Sequence, residues 1–148
     1  MHIENRTRFQ NVQEAAGAYN AKRAYLGAVL AERLGIRGGF ASETHVLVGL
    51  WSGELLRTLR LRRETFRSLC PDLIDSFEAW WNGHPRTAGR TSAFVLLDPF
   101  AGGQMRTYVD LETAIASARP RVRDYADAAR RIASRQPNSG FRCAGHRG

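Results

Sequence analysis

Lysine is almost missing from this chain: Lys22 stands alone beside twenty-one arginines. Its positive charge is therefore carried by planar guanidinium forks, which grip phosphates and carboxylates through paired donors. GC-rich coding favours Arg, Ala and Gly over Lys, Asn and Ile, and it accounts for much of the Arg:Lys ratio. It points to a GC-rich bacterium or one of its mobile elements, but it leaves the net charge of +8 unexplained. Cysteine is scarce as well. Cys70 and Cys143 are the only two, which excludes a dense disulfide scaffold. Long apolar runs are missing: residues 46–51 and 93–97 are the longest, far short of the roughly 20 residues of a membrane helix. Residues 1–6 carry no apolar signal-peptide core. These absences point to a cytoplasmic protein with no membrane partner.

Catalytic signatures are also lacking. Gly102-Gly103 has neither the lysine nor the following helix of a phosphate loop. No serine or cysteine sits in a recognisable nucleophile elbow. Cys143 and His146 have the spacing of half a zinc site, but a structural site needs four ligands. The expectation is a protein without metal or cofactor that is not an enzyme. His45 beside Glu43, or with Asp98 or Asp110, and His84 in its loop are the residues an enzymatic alternative would use.

The 148 residues fit one domain, expected over 1–135, with a polar, Pro- and Gly-containing tail over 136–148 expected to be disordered. Apolar spacing predicts a helix over 11–34, capped by Asn11 with Glu14 in a capping-box position and ended by Gly35. Its stripe is Val12, Ala16, Tyr19, Leu26, Leu30 and Leu34. Leu47, Trp51, Leu55 and Leu59 recur at helical steps, so 42–70 also reads as helix. Gly49 and Gly53 would then allow close helix contact, although 46–51 has the alternative of a buried strand. A short helix follows over 71–81, with Pro71 at its first position. Residues 92–97 and 104–109 read as two strands of a hairpin. Asp110 caps a final helical region over 111–118 and 121–135, the second part with a stripe of Val122, Tyr125, Ala129 and Ile132. The expected fold is α+β: four to five helices with one antiparallel hairpin packed on them.

The charge is segregated. Residues 57–67 hold five arginines and one glutamate, whereas 68–83 hold Asp72, Asp75 and Glu78 and no base. On a wheel for 52–70, Arg57, Arg60, Arg63 and Arg67 share one face opposite Leu55, Leu59, Phe66 and Leu69, and Arg62 falls in the apolar sector. Such a face suits a phosphate backbone. Trp80 and Trp81, with Arg86 and Arg90 across the next loop, add stacking and phosphate contacts, and Arg130 is free on the last helix. These residues point to nucleic acid or a nucleoprotein complex as partner, bound with little sequence readout. The alternative is an inhibitor or adaptor of a phage or mobile element that binds an acidic protein or host machinery through the tryptophans and arginines.

Overall fold

The computed structural model describes residues 1–6, 9–84, 88–101, 108–117 and 120–135. Its elements run β1 (His2–Arg6), α1 (Val12–Arg33), β2 (Ser42–Leu50), α2 (Gly53–Leu61), α3 (Arg63–Leu69), α4 (Asp75–Trp81), β3 (Gly89–Leu97), β4 (Tyr108–Asp110), α5 (Leu111–Ala116) and α6 (Tyr125–Arg135). The sheet has four strands in the order β1-β2-β3-β4. β1 and β3 flank β2 in parallel, in a register that sets His2 beside His45 and His45 beside Ser92. β4 joins β3 antiparallel.

This corrects the expected fold. The chain is α+β, but its framework among the described residues is a mixed, mostly parallel sheet with six helices and not a lone antiparallel hairpin. Two physical reasons account for the difference. Val46, Leu47 and Val48 are buried on both faces of a central strand, and such a strand reads as a continuous apolar run with no alternation. Leu47 leaves the sheet into the same core that Leu55 and Leu59 enter from α2. One buried cluster therefore mimicked a helical stripe. β1, with sequence HIENR, is a polar edge strand whose only aliphatic residue is Ile3. Of the expected hairpin, the pairing of Val95–Leu97 with Tyr108–Asp110 exists; residues 102–107 lie outside the described residues, as does the tail over 136–148.

Side chains alternate across a strand, so the sheet has two distinct faces. Leu47, Phe94 and Leu96 meet Tyr19 of α1, Leu55 and Leu59 of α2, Phe66 and Leu69 of α3, and Leu111 and Ala114 of α5. On the other face Val46, Val48 and Val95 meet Ile74, which precedes α4, and Phe77 of α4. A third cluster joins Phe100, Val122 and Ala128, with Leu50 against it. Gly49 belongs to the first face. A β-carbon there would lie 2.5 Å from Leu55 Cδ2, so this glycine lets α2 close on the sheet. The close contact expected of Gly49 is real, but it is between helix and sheet.

Local signals at helix ends held. The Asn11 side chain accepts the Glu14 N–H at 3.1 Å, Asp110 accepts that of Thr113 at 2.7 Å, and Gly35 takes φ +68°. Of the helix expected over 42–70, the first part is strand β2, as the buried-strand alternative had it, and the rest is two helices broken at Arg62 (φ −124°, ψ 29°). The helix expected from Pro71 begins at Asp75, because Asp72 is bound to β3: its carboxylate accepts the Ser92 N–H at 2.6 Å and its own N–H donates to Ser92 O at 3.0 Å. In α6 the buried residue is Ala128, while Tyr125, Ala129 and Ile132 are exposed. Among the described residues no helix is long and apolar enough to cross a membrane.

Candidate functional site

The break at Arg62 divides the arginine face by role. Arg60 donates to the carbonyls of Ile115 (3.1 Å) and Ser117 (2.9 Å) at the C-terminal end of α5, where unpaired carbonyls favour a cation. Arg63 and Arg67 both grip Glu112 of α5, Arg67 at 2.7 Å, and Arg67 also pairs with Glu64 at 3.1 Å. The Arg67 and Arg63 guanidinium groups hold the Glu112 carboxyl below its ordinary range. These three arginines lash α2 and α3 to α5. Arg57 and Arg62 are exposed and have no partner among the described residues. Arg57 shares a surface depression with Gly53, Thr58, Arg123 and Asp124. Arg62 lies in a groove with Phe9, Gln10, Gln13, Thr58 and Thr65.

α2 is joined to the segment before α6 by the backbone, Gly53 N–H to Val122 O at 3.0 Å and Glu54 N–H to Arg123 O at 2.9 Å. Two basic segments distant in sequence therefore become one surface. Across residues 53–69, α5 and residues 120–135, ten arginines stand against five carboxylates. Asp72, Asp75 and Glu78 precede or lie on α4, which covers the opposite face of the sheet.

The other expected contact residues do not join this surface. Trp80 (38% exposed) and Trp81 (61%) both reach solvent from acidic α4, Trp81 with its ring 5.6 Å from that of Phe77. Arg90, on β3, pairs with Glu43 at 3.1 Å. Arg86 lies outside the described residues. Arg130 is on α6, 3.9 Å from Asp127, and belongs with Arg123.

Of the histidines, His84 is exposed just after α4. His45 points to the α1 face of the sheet, so the two are not brought together. His45 has a different set of neighbours. Its Nε2 lies 3.1 Å from Glu43 Oε2, and its Nδ1 lies 3.2 Å from Nδ1 of His2. The His2 ring stacks on Tyr19. Burial pushes both imidazoles below their ordinary value of 6.5, against an opposing pull from Glu43 on His45 and Glu4 on His2. Burial works to raise the Glu43 carboxyl, but hydrogen bonds from Arg90 and His45 outweigh it and hold it low. α1 comes so close here that a β-carbon on Gly27 would collide with the Glu43 carboxylate. Of this group only the His45–Glu43 pairing was suggested by sequence. His2 carried no signal, since it depends on a strand the sequence did not reveal.

A pH dependence follows. A histidine whose folded pKa is depressed contributes stability that is complete above its unfolded value and lost as pH falls through the folded one. The urea midpoint is expected to be level above about pH 7 and to fall below about pH 6.5. The variant His45→Gln should flatten that limb, and an unchanged slope would remove the histidine pair as its source.

Cys70 is buried between Tyr19 and Ser92, and burial raises its thiol to about 11. It stays protonated and is no nucleophile. Among the described residues no three metal-ligating side chains gather; Cys143 and His146 lie outside them. In comparisons with known proteins, no family model matches the chain, and neither a curated protein nor a solved structure is similar to it.

Proposed function

We propose that this is a non-enzymatic binding protein that docks on the phosphate backbone of a nucleic acid, free or within a nucleoprotein complex, with little sequence readout. The observation that carries the reading is the gathering of an arginine excess where α2 meets the segment leading into α6, with the acids of α4 on the sheet face opposite α2. Arg57, Arg62, Arg123 and Arg130 are the contact residues. Arg60, Arg63 and Arg67 support them by holding the helices that present them. The setting is the cytoplasm, and the role that of an accessory protein of a phage or other mobile element.

The test is fluorescence anisotropy with labelled single- and double-stranded DNA and RNA at about 50 and 200 mM salt. Binding is expected to fall steeply between the two. Arg57→Gln, Arg62→Gln and Arg123→Gln should each lower the log–log salt slope by about 1 and leave thermal stability nearly unchanged. Arg63→Gln should act differently, since it frees α5 and lowers stability as well. Absence of binding at the lower salt, or a triple variant of Arg57, Arg62 and Arg123 that binds like the parent, would overturn the proposal. Exposure of Trp81 favours a second reading, a protein partner on α4. Salt-insensitive binding abolished by Trp81→Ala would support it.

A further inference from the structure

A pocket of about 90 Å³ opens at the amino ends of β1 and β2, away from the arginine surface. Leu26 and Leu30 of α1, Phe40 and Met1 form its apolar wall, and His2, Glu43 and His45 its polar one. At roughly 15 Å³ per water it holds about six waters' worth of space, enough for a single aromatic ring.

The hydrogen bonds fix the proton positions along the polar wall. Glu43 is ionised and accepts only, so the bond from His45 Nε2 carries a proton toward it. A neutral His45 then has a bare Nδ1, which must accept from Nδ1–H of His2 across their 3.2 Å contact. A neutral His2 is left with a bare Nε2, and no side chain among the described residues donates to it. The chain Glu43–His45–His2 thus ends in an acceptor made more basic by a carboxylate two rings away, the logic by which a buried carboxylate orients a histidine elsewhere. The carboxylates at this wall are both answered. Glu43 is answered by Arg90, and Glu4 by Lys22 and Arg6. A cation finds no free carboxylate here and an anion has no proton to offer His2, whereas a neutral donor on an apolar body finds both its needs.

We propose that this pocket binds a small neutral aromatic molecule bearing one hydroxyl donor, of the phenol class, with its O–H on His2 Nε2 and its ring against Leu26, Leu30 and Phe40. The site is independent of the docking surface and stands or falls separately from it.

The experiment is a titration of the full chain with phenol, followed by the side-chain nitrogen resonances of His2 and His45. Before phenol, His2 Nε2 should resonate as a bare, pyridine-type nitrogen; on saturation it should move toward the hydrogen-bonded range. Anisole, with the same ring and no donor, should bind about tenfold more weakly, the value of one hydrogen bond. Leu30→Trp, which fills the mouth and leaves the relay intact, should abolish the shift, with the remaining spectrum confirming the fold. A protonated His2 Nε2 at the outset, equal binding of anisole, or no saturable shift would each overturn the proposal.

Discussion

Truncating Phe66 to alanine is expected to cost about 3–5 kcal/mol, a large share of the roughly 5–15 kcal/mol that holds a domain of this size. Phe66 is wholly buried in α3 at the centre of the larger core. Its ring meets those of Phe9 and Phe94, each at 5.2 Å and edge-on, contacts that add to simple burial. Phe9 comes from the turn before α1 and Phe94 from β3, so one side chain joins three parts of the chain. The helix that carries it has only seven residues, too few to be stable by itself in water. Its existence depends on Phe66 and Leu69 entering the core. Urea unfolding of Phe66→Ala should show a lower midpoint with an unchanged slope, while the exposed Leu73→Ala stays within about 0.5 kcal/mol of the parent. A loss below about 1 kcal/mol for Phe66→Ala would mean that α3 does not rest on the sheet as described. The same truncation loosens the base of Arg63 and Arg67, so any nucleic-acid binding should weaken with it.

What was legible in the sequence depended on whether a signal was local. Asn11, Gly35 and Asp110 mark helix ends through their own side chains or φ, and each was readable. Leu55, Leu59, Phe66 and Leu69 were correctly expected on one buried side, because the break at Arg62 reorients the helix but leaves α3 facing the same sheet. The break explains the anomaly of Arg62, which fell in the apolar sector only because the wheel ran on past the residue that ends α2. β2 was legible only as an alternative over 46–51, since a parallel strand covered on both faces loses the alternation that would decide it against a helix. β1 was not legible at all. Its partners supply its reason to be extended, and they lie some forty residues away, His2 beside His45 and Glu4 beside Leu47. The candidate sites divide in the same way. The excess of arginine was countable from sequence, but which arginines are spent on internal contacts is a tertiary fact. Glu112, the residue that occupies Arg63 and Arg67, lies about fifty positions away from either. His2, without β1, had no place in any site.

The lone lysine of the chain has a structural task, and removing it together with its neighbour should reveal a buried carboxylate. Glu4 is only 6% exposed, on the α1 face of edge strand β1. Lys22 reaches it from α1 at 2.9 Å and Arg6 along the strand at 2.7 Å. Burial acts to raise the Glu4 carboxyl, yet the two hydrogen-bonded cations outweigh it and hold the group below its ordinary value. With either cation left in place the loss should be modest. Replacing both, Lys22→Met with Arg6→Met, leaves a buried charge unanswered. The expected cost is about 3 kcal/mol, the lower end for such a loss because both cations are partly exposed. The sign of the pH response should also change. In the parent, a depressed carboxyl gives stability that is present above its unfolded value and lost as pH falls through the folded one. In the double variant burial acts alone and raises the carboxyl, so protonation relieves it and acid becomes favourable. The stability gap between the two proteins is therefore expected to be widest near about pH 7 and to shrink toward about pH 5, with both proteins carrying His2→Gln because Lys22 also acts on that ring. Adding Glu4→Gln to the double variant should recover most of the loss at neutral pH and abolish the shrinkage. A gap that is constant with pH would place the cost in the lost side-chain packing of Lys22 and Arg6 and not in the charge of Glu4.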